Sequence, residues 1–134
     1  MTGLTTIEGI GPVYAEKLES AGVSSCEQLL EAGATKAGRT KLTEASGMSS
    51  TLILKFVNHA DLFRVKGIGG EYAELLEAAG VDTVPELAQR NAENLAAKVA
   101  EVNEAKNLVR QVPSAATISG WVEQAKDMDR VITH

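Results

Sequence analysis

The chain has 134 residues and a formal net charge of −5, with 44% hydrophobic residues but only one Trp, two Tyr and two Phe. That length suits one domain or two very small ones, and the scarcity of aromatics leaves a core to be built from Leu, Val, Ile and Ala. The acidic balance lacks the basic surplus and basic tail common in nucleic-acid-binding domains. The single Cys26 excludes an intramolecular disulfide and fits a reducing compartment. The apolar run Leu52-Ile53-Leu54 is far too short for a membrane span, and the N-terminus lacks a charged and then apolar leader, so a soluble cytoplasmic protein is expected.

In chain order, residues 1–8 read as the truncated end of a helix. Gly9-Ile10-Gly11-Pro12 reads as a turn, with Ile10 as the apolar plug between two glycines. Tyr14, Leu18 and Ala21 then recur at helical spacing, and Gly22 stops that helix as a residue of left-handed conformation. Ser25 and Gln28 have capping-box spacing and open a short helix over residues 26–32, with Leu29 and Leu30 inward. A loop is expected over 34–38 and a helical stretch over 39–46, with Leu42 and Ala45 on one side. Gly47-Met48-Ser49-Ser50 reads as a degenerate turn with Met48 as its plug and Ser49 or Ser50 as a cap. From Thr51 to Val65 the apolar residues Leu52, Ile53, Phe56, Val57, Ala60 and Phe63 mark the strongest helix, which joins the two halves.

The second half repeats the first. Gly67-Ile68-Gly69-Gly70-Glu71-Tyr72-Ala73-Glu74-Leu75-Leu76-Glu77-Ala78-Ala79-Gly80-Val81 matches residues 9–23 at eleven of fifteen positions, at a constant offset of 58. An internal duplication is the direct reading. A helix over 71–79, a capped helix over 84–89 opened by Thr83, Pro85 and Glu86, and a helix from Asn91 with Leu95, Val99 and Val102 inward follow the same plan. Ser114, Ile118, Trp121, Val122 and Ala125 then match Ser49, Ile53, Phe56, Val57 and Ala60 at an offset of 65, so about seven residues are inserted between Val84 and Pro113, best placed at 103–111. Residues 127–134 have weak periodicity and are expected to fray.

A glycine turn between short helices followed by A-x-x-L-x-x-A-G-V resembles the helix-hairpin-helix superfamily. Adding Val57-Asn58-His59-Ala60-Asp61-Leu62, Val81 to Asn91 and Trp121-Val122-Glu123-Gln124-Ala125-Lys126, nearly the full length resembles a bacterial family of small tandem helix-hairpin-helix proteins catalogued only as a domain of unknown function. The resemblance implies an all-α, SAM-like fold of two double helix-hairpin-helix units, residues 1–62 and 63–134, packed as one compact domain. It implies no activity.

In that superfamily the hairpin amides and the following helix N-terminus hold a DNA phosphate. The resemblance therefore makes Gly9 and Gly11, and Gly67, Gly69 and Gly70 with Lys66, the candidate anion-binding hairpins, with Arg64, Arg90 and Arg110 as supporting cations. Two departures oppose phosphate: Val13 and Glu71 stand where binders often carry a basic residue, and Glu8 precedes the first turn. Turn geometry and packing explain the same glycines without any ligand.

His59 and Asp61, two apart on a helix, point to different faces, and His134 is terminal. Cys26 lies in a capped first turn where a thiolate would be somewhat stabilised, but no base accompanies it. No metal-ligand set, cofactor motif or catalytic constellation is visible, so no catalytic residue, metal, cofactor, small-molecule substrate or membrane partner is assigned. Trp121 aligns with Phe56 and reads as core. The expected function is a non-enzymatic module for protein association or self-association, the apolar side near Leu4, Ile7 and Ile10 being covered by a C-terminal helix or a partner chain. The alternative is sequence-independent duplex DNA binding, chiefly through the second hairpin.

Overall fold

The computed structural model describes residues 2–134. Among them lie eight α-helices: α1 (Pro12–Ser20), α2 (Cys26–Ala32), α3 (Lys36–Ser46), α4 (Ser50–Leu62), α5 (Gly70–Ala78), α6 (Val84–Ala88), α7 (Ala92–Lys106) and α8 (Ala115–Lys126). A single 3₁₀ turn, Leu4–Thr6, precedes them. Strand-like pairing among the described residues is limited to one isolated antiparallel bridge between Gly3 and Ser25, so the protein is all-α. No described helix is long and apolar enough to cross a membrane. The chain divides into two compact units, one holding the residues up to Asp61 together with Val131–His134, the other Leu62–Arg130.

In unit 1 the helices begin where side chains replace missing backbone acceptors. Ser25 accepts from the Gln28 amide at 3.2 Å, Thr35 from Gly38 at 3.0 Å and Ser49 from Leu52 at 3.2 Å; each such cap is worth about 1 kcal/mol. Helix α1 ends in a Schellman motif. Gly22 adopts φ +90°, its amide donates to Glu19 O, and the Val23 amide donates to Leu18 O at 2.9 Å. The buried face of α4 is Ile53, Phe56, Val57 and Ala60, and toward the end of that helix Asn58, His59 and Asp61 are buried as well.

Several expectations need correction. Residues 2–8 contain one 3₁₀ turn, not the truncated end of an α-helix; residue 1 lies outside the described residues. Helix α3 begins at Lys36, because the Thr35 cap starts it inside the segment read as loop. Its inner face is Arg39, Leu42 and Ser46, while Ala45 is exposed. Helix α4 stops at Leu62, three residues early. Leu4, Ile7 and Ile10 are at most 4% exposed in the single chain, so no partner chain is needed to cover them.

The largest correction concerns the end of the chain. Residues 131–134 do not fray: Ile132 is 2% exposed, and the Thr133 amide donates to Ala34 O at 2.8 Å. Arg39 fixes this strap. Its Nη1 donates to Gly33 O (2.9 Å) and Ala34 O (3.3 Å), and its Nη2 donates to Thr133 O at 2.7 Å. One guanidinium thus caps the C-terminal end of α2 and holds residues from the far end of the sequence. No local pattern in the sequence marks residues 131–134 as docked; the burial of Ile132 and the bonds of Thr133 to Ala34 and Arg39 do.

Unit 2 is built around Leu62, Val65, Ile68, Leu75, Leu76, Val84, Leu87, Leu95, Val99, Ile118 and Trp121, all buried. Its turns take the same conformations as those of unit 1. Gly80 has φ +95°, with Gly80 N–H to Glu77 O and Val81 N–H to Leu76 O at 2.8 Å, a second Schellman motif. The Glu86 carboxylate accepts from Asp82 N–H at 3.1 Å and Thr83 Oγ1 at 3.4 Å, as Gln28 Oε1 accepts from Ser24 N–H at 2.8 Å. In both units the reach-back falls one residue before the N-cap position, but the expected cap of α6 needs correction: the Thr83 side chain, unlike that of Ser25, accepts no bond from the helix start. The added residues lie in a longer α7 and in the segment after it, partly offset by a shorter α6. Asn107 ends α7 with φ 51°, and Asn103 pins the following loop by accepting from Val109 N–H (2.9 Å) and donating to Val109 O (3.1 Å).

Candidate functional site

The two glycine turns are superimposable in their backbone angles. Gly9 has φ +93° and Gly67 φ +102°, conformations that glycine tolerates and other residues resist. The Ile10 amide donates to Ile7 O and the Ile68 amide to Val65 O, closing each turn, and both isoleucines are buried. Gly11 and Gly69 are the extended N-caps of α1 and α5, with φ −94° and −102° and no side-chain cap. The first amides of each helix therefore lack both an intrahelical acceptor and a capping side chain, which is the electrostatic prerequisite for holding an anion.

An aromatic ring packs behind each turn. Phe56 backs Gly9 and pairs with Tyr14 at a centroid distance of 6.0 Å and 54°; Trp121 backs Gly67 and pairs with Tyr72 at 5.3 Å and 53°. Trp121 is 3% exposed, a core residue that offers no face for stacking a base.

The candidate cations scatter. Lys66 is exposed and its backbone is clamped at both ends by the Gln124 side chain, which accepts from Lys66 N–H (2.9 Å) and donates to Lys66 O (3.1 Å). Arg64 donates to Asp129 O at 2.7 Å, tying down the segment after α8. The Tyr72 hydroxyl donates to Gln111 O at 3.1 Å, tying the residue after Arg110 to a side chain of α5. Arg90 sits elsewhere: its Nη1 is 3.9 Å from where a Cβ on Gly80 would stand, at the other end of α5, roughly 13 Å along that helix. Lys66 alone of these cations adjoins the second turn, in sequence, and Glu71 is exposed in the first turn of α5. At the first turn, Lys17 lies over the Tyr14 ring at 6.0 Å, and Val13, 66% exposed, is the one large hydrophobic residue standing in solvent among the described residues.

Cys26 departs from expectation. The residue is 3% exposed, and its Sγ donates to Gly3 O at 3.4 Å. Burial, with the neighbouring Glu27 carboxylate adding to it, pushes the thiol up to about 11, so desolvation outweighs the helix start that would have stabilised a thiolate. Glu27 itself is held below the usual carboxylate range by the Thr2 amide donating to it at 2.8 Å. His59 and Asp61 are fully buried. No group of three or more potential metal ligands exists among the described residues.

A family model described as a domain of unknown function, DUF4332, matches residues 8–128. The chain belongs to this family. The DUF4332 match takes in both glycine turns and all eight helices and stops short of the strap. No curated protein and no solved structure matches the chain.

Sequence reasoning missed Arg39. The available signal was its spacing: residues 39, 42 and 46 fall on one helical stripe with Leu42, so an arginine in that register had to be either buried with partners or a break in the stripe.

Proposed function

We propose that this DUF4332 chain is a non-enzymatic tandem of duplicated helix-hairpin-helix units that mediates protein association. The observation that carries the reading is what stands at the solvent side of the two turns. Where a phosphate-binding hairpin needs a cation, α1 presents exposed Val13 and α5 presents exposed Glu71. An apolar knob offers a polyanion no attraction and a carboxylate repels it, while both suit a protein surface. The repeated φ values, Schellman motifs and aromatic-backed glycines of the two units support the duplicated-hairpin reading.

Duplex DNA binding through the second hairpin is the competing reading, and one observation favours it: exposed Lys66 directly precedes the glycine turn that leads into the uncapped start of α5. Two measurements separate the readings. Sedimentation velocity over a range of concentrations should show self-association in the wild type that Val13→Asp abolishes. Titration into fluorescent duplex DNA at low and moderate salt should show no binding. A monomer at every concentration, with DNA affinity that falls steeply with salt and is lost in Lys66→Glu, would transfer the assignment to the second reading.

A further inference from the structure

Unit 1 contains a groove of about 540 Å³ that neither hairpin touches. Helix α3 lines it with Lys36, Arg39 and Thr40, the start of α4 with Ser50, Thr51 and Leu54. The volume lies in the range of small-molecule sites. Its charge is unusual for so acidic a chain. Arg39 is 9% exposed, and its acceptors are three neutral carbonyls. Those bonds leave Nε and one hydrogen of Nη2 still to be satisfied. Burial pulls the Arg39 guanidinium below its usual range, although an arginine stays charged at neutral pH. Among the described residues neither Arg39 nor Lys36 forms an ion pair, and Glu44 is the one carboxylate side chain on the wall.

A guanidinium whose protein partners are all neutral carbonyls keeps donors that an anion in the groove would take up as charge-assisted hydrogen bonds. The hydroxyls of Ser50 and Thr51 add neutral donors, whereas that of Thr40 is spent on Lys36 O, and the positive end of the α4 dipole adds to the same field. Leu54, half-buried, supplies an apolar wall. We propose that this groove binds a small organic phosphate, a phosphomonoester on a compact apolar group, with Arg39 and Lys36 meeting the anion and Leu54 the apolar part. Its lining includes neither Val13 nor Glu71, so the proposal stands independently of the association reading. His134, at the end of the strap, forms part of the wall, so the bonds from Arg39 to Thr133 O and from the Thr133 amide to Ala34 O hold one side of the site in place.

The test is amide chemical-shift mapping on the full chain with three probes: phenyl phosphate, inorganic phosphate and benzyl alcohol. Phenyl phosphate should give saturable shifts at residues 36–44, 50–54 and 131–134, bind more tightly than inorganic phosphate, and leave benzyl alcohol inert by comparison. Lys36→Glu and Thr51→Glu, both at exposed positions, should each weaken phenyl phosphate about tenfold, as expected for reversing or adding one charge beside a bound anion. The Thr133 amide resonance, unmoved in the free variants, verifies that the unit is intact. Absence of saturable shifts in the groove, equal affinity for the neutral probe, no preference over inorganic phosphate, or undiminished affinity in both variants with Thr133 in place would overturn the proposal.

Discussion

Trp121 stands against Gly67 so closely that a Cβ on residue 67 would lie 2.9 Å from its indole Nε1, whereas the same atom on Gly9 would lie 3.4 Å from Cε1 of Phe56. The smaller ring in unit 1 leaves room that the larger one in unit 2 does not.

Both positions require a positive φ, which costs an alanine about 1 to 3 kcal/mol. Gly67→Ala must also displace a buried indole, adding about 1 to 3 kcal/mol of overpacking. Urea unfolding should rank Gly67→Ala as clearly more damaging than Gly9→Ala. Gly11→Ala, with φ −94° and nothing within 4 Å of the new atom, should stay close to wild type. Equal losses at residues 9 and 67 would contradict the packing described.

Arg39→Met should release the strap. Losing charged donors to Gly33, Ala34 and Thr133 carbonyls costs about 1 to 3 kcal/mol, and the local effect is sharper than the global one. Hydrogen exchange at the Thr133 amide, now bonded to Ala34 O, should accelerate well beyond the general loss of protection. Arg39→Lys should recover part of it. An unchanged Thr133 exchange rate in Arg39→Met would mean that Ile132 alone anchors the segment.

Asn103 acts on Val109 as a neighbouring strand would, taking its amide hydrogen and giving one to its carbonyl. Val109 is 4% exposed, so Asn103→Leu strands two buried polar groups and should cost about 2 kcal/mol or more. Asn103→Asp keeps the acceptor but sets a carboxylate against the Val109 carbonyl, and should fall at or below the leucine variant in thermal melts.

Cys26 gives a dependence on alkaline pH. Its folded-state value is raised from 9.0 to about 11, so its contribution is complete below the unfolded value and is lost as pH rises through this interval, the unfolded chain releasing its proton first. Two units correspond to at most about 3 kcal/mol. The stability difference between wild type and Cys26→Ala should therefore shrink across that window, and iodoacetamide labelling of the native protein at neutral pH should be slow until denaturant is added. A constant difference from neutral pH upward would show that the thiol titrates unshifted.

Much of the fold could be read in the sequence because its signals are local. The glycine turns, the Ser25 cap, the helix start at Asn91 and the apolar stripe of α4 each depend on residues within a few positions of one another, and the seven-residue displacement of α8 follows from aligning the two repeats. The errors divide between local ambiguity and long reach. Thr35 caps α3 through the Gly38 amide, but a segment of small residues ending in glycine reads equally well as a loop. Ala45 was placed inside because alanine carries little information about its side, while Ser46 took the buried position by bonding Leu42 O at 2.6 Å. The strap was illegible because its partners, Ala34 and Arg39, are more than ninety positions away. The candidate hairpins were legible as backbone, but the separation of Arg90 from Lys66 depends on tertiary placement.

Because Ile132 and Thr133 are integral to unit 1, that unit brackets the other along the polypeptide. A ribosome delivering about 5 to 20 residues per second will have released every residue of unit 2 before the last four of unit 1 emerge. The half that is made first is therefore finished last, and a nascent chain stalled before residue 131 would carry a complete second unit beside a first one whose Arg39 has not yet met Thr133.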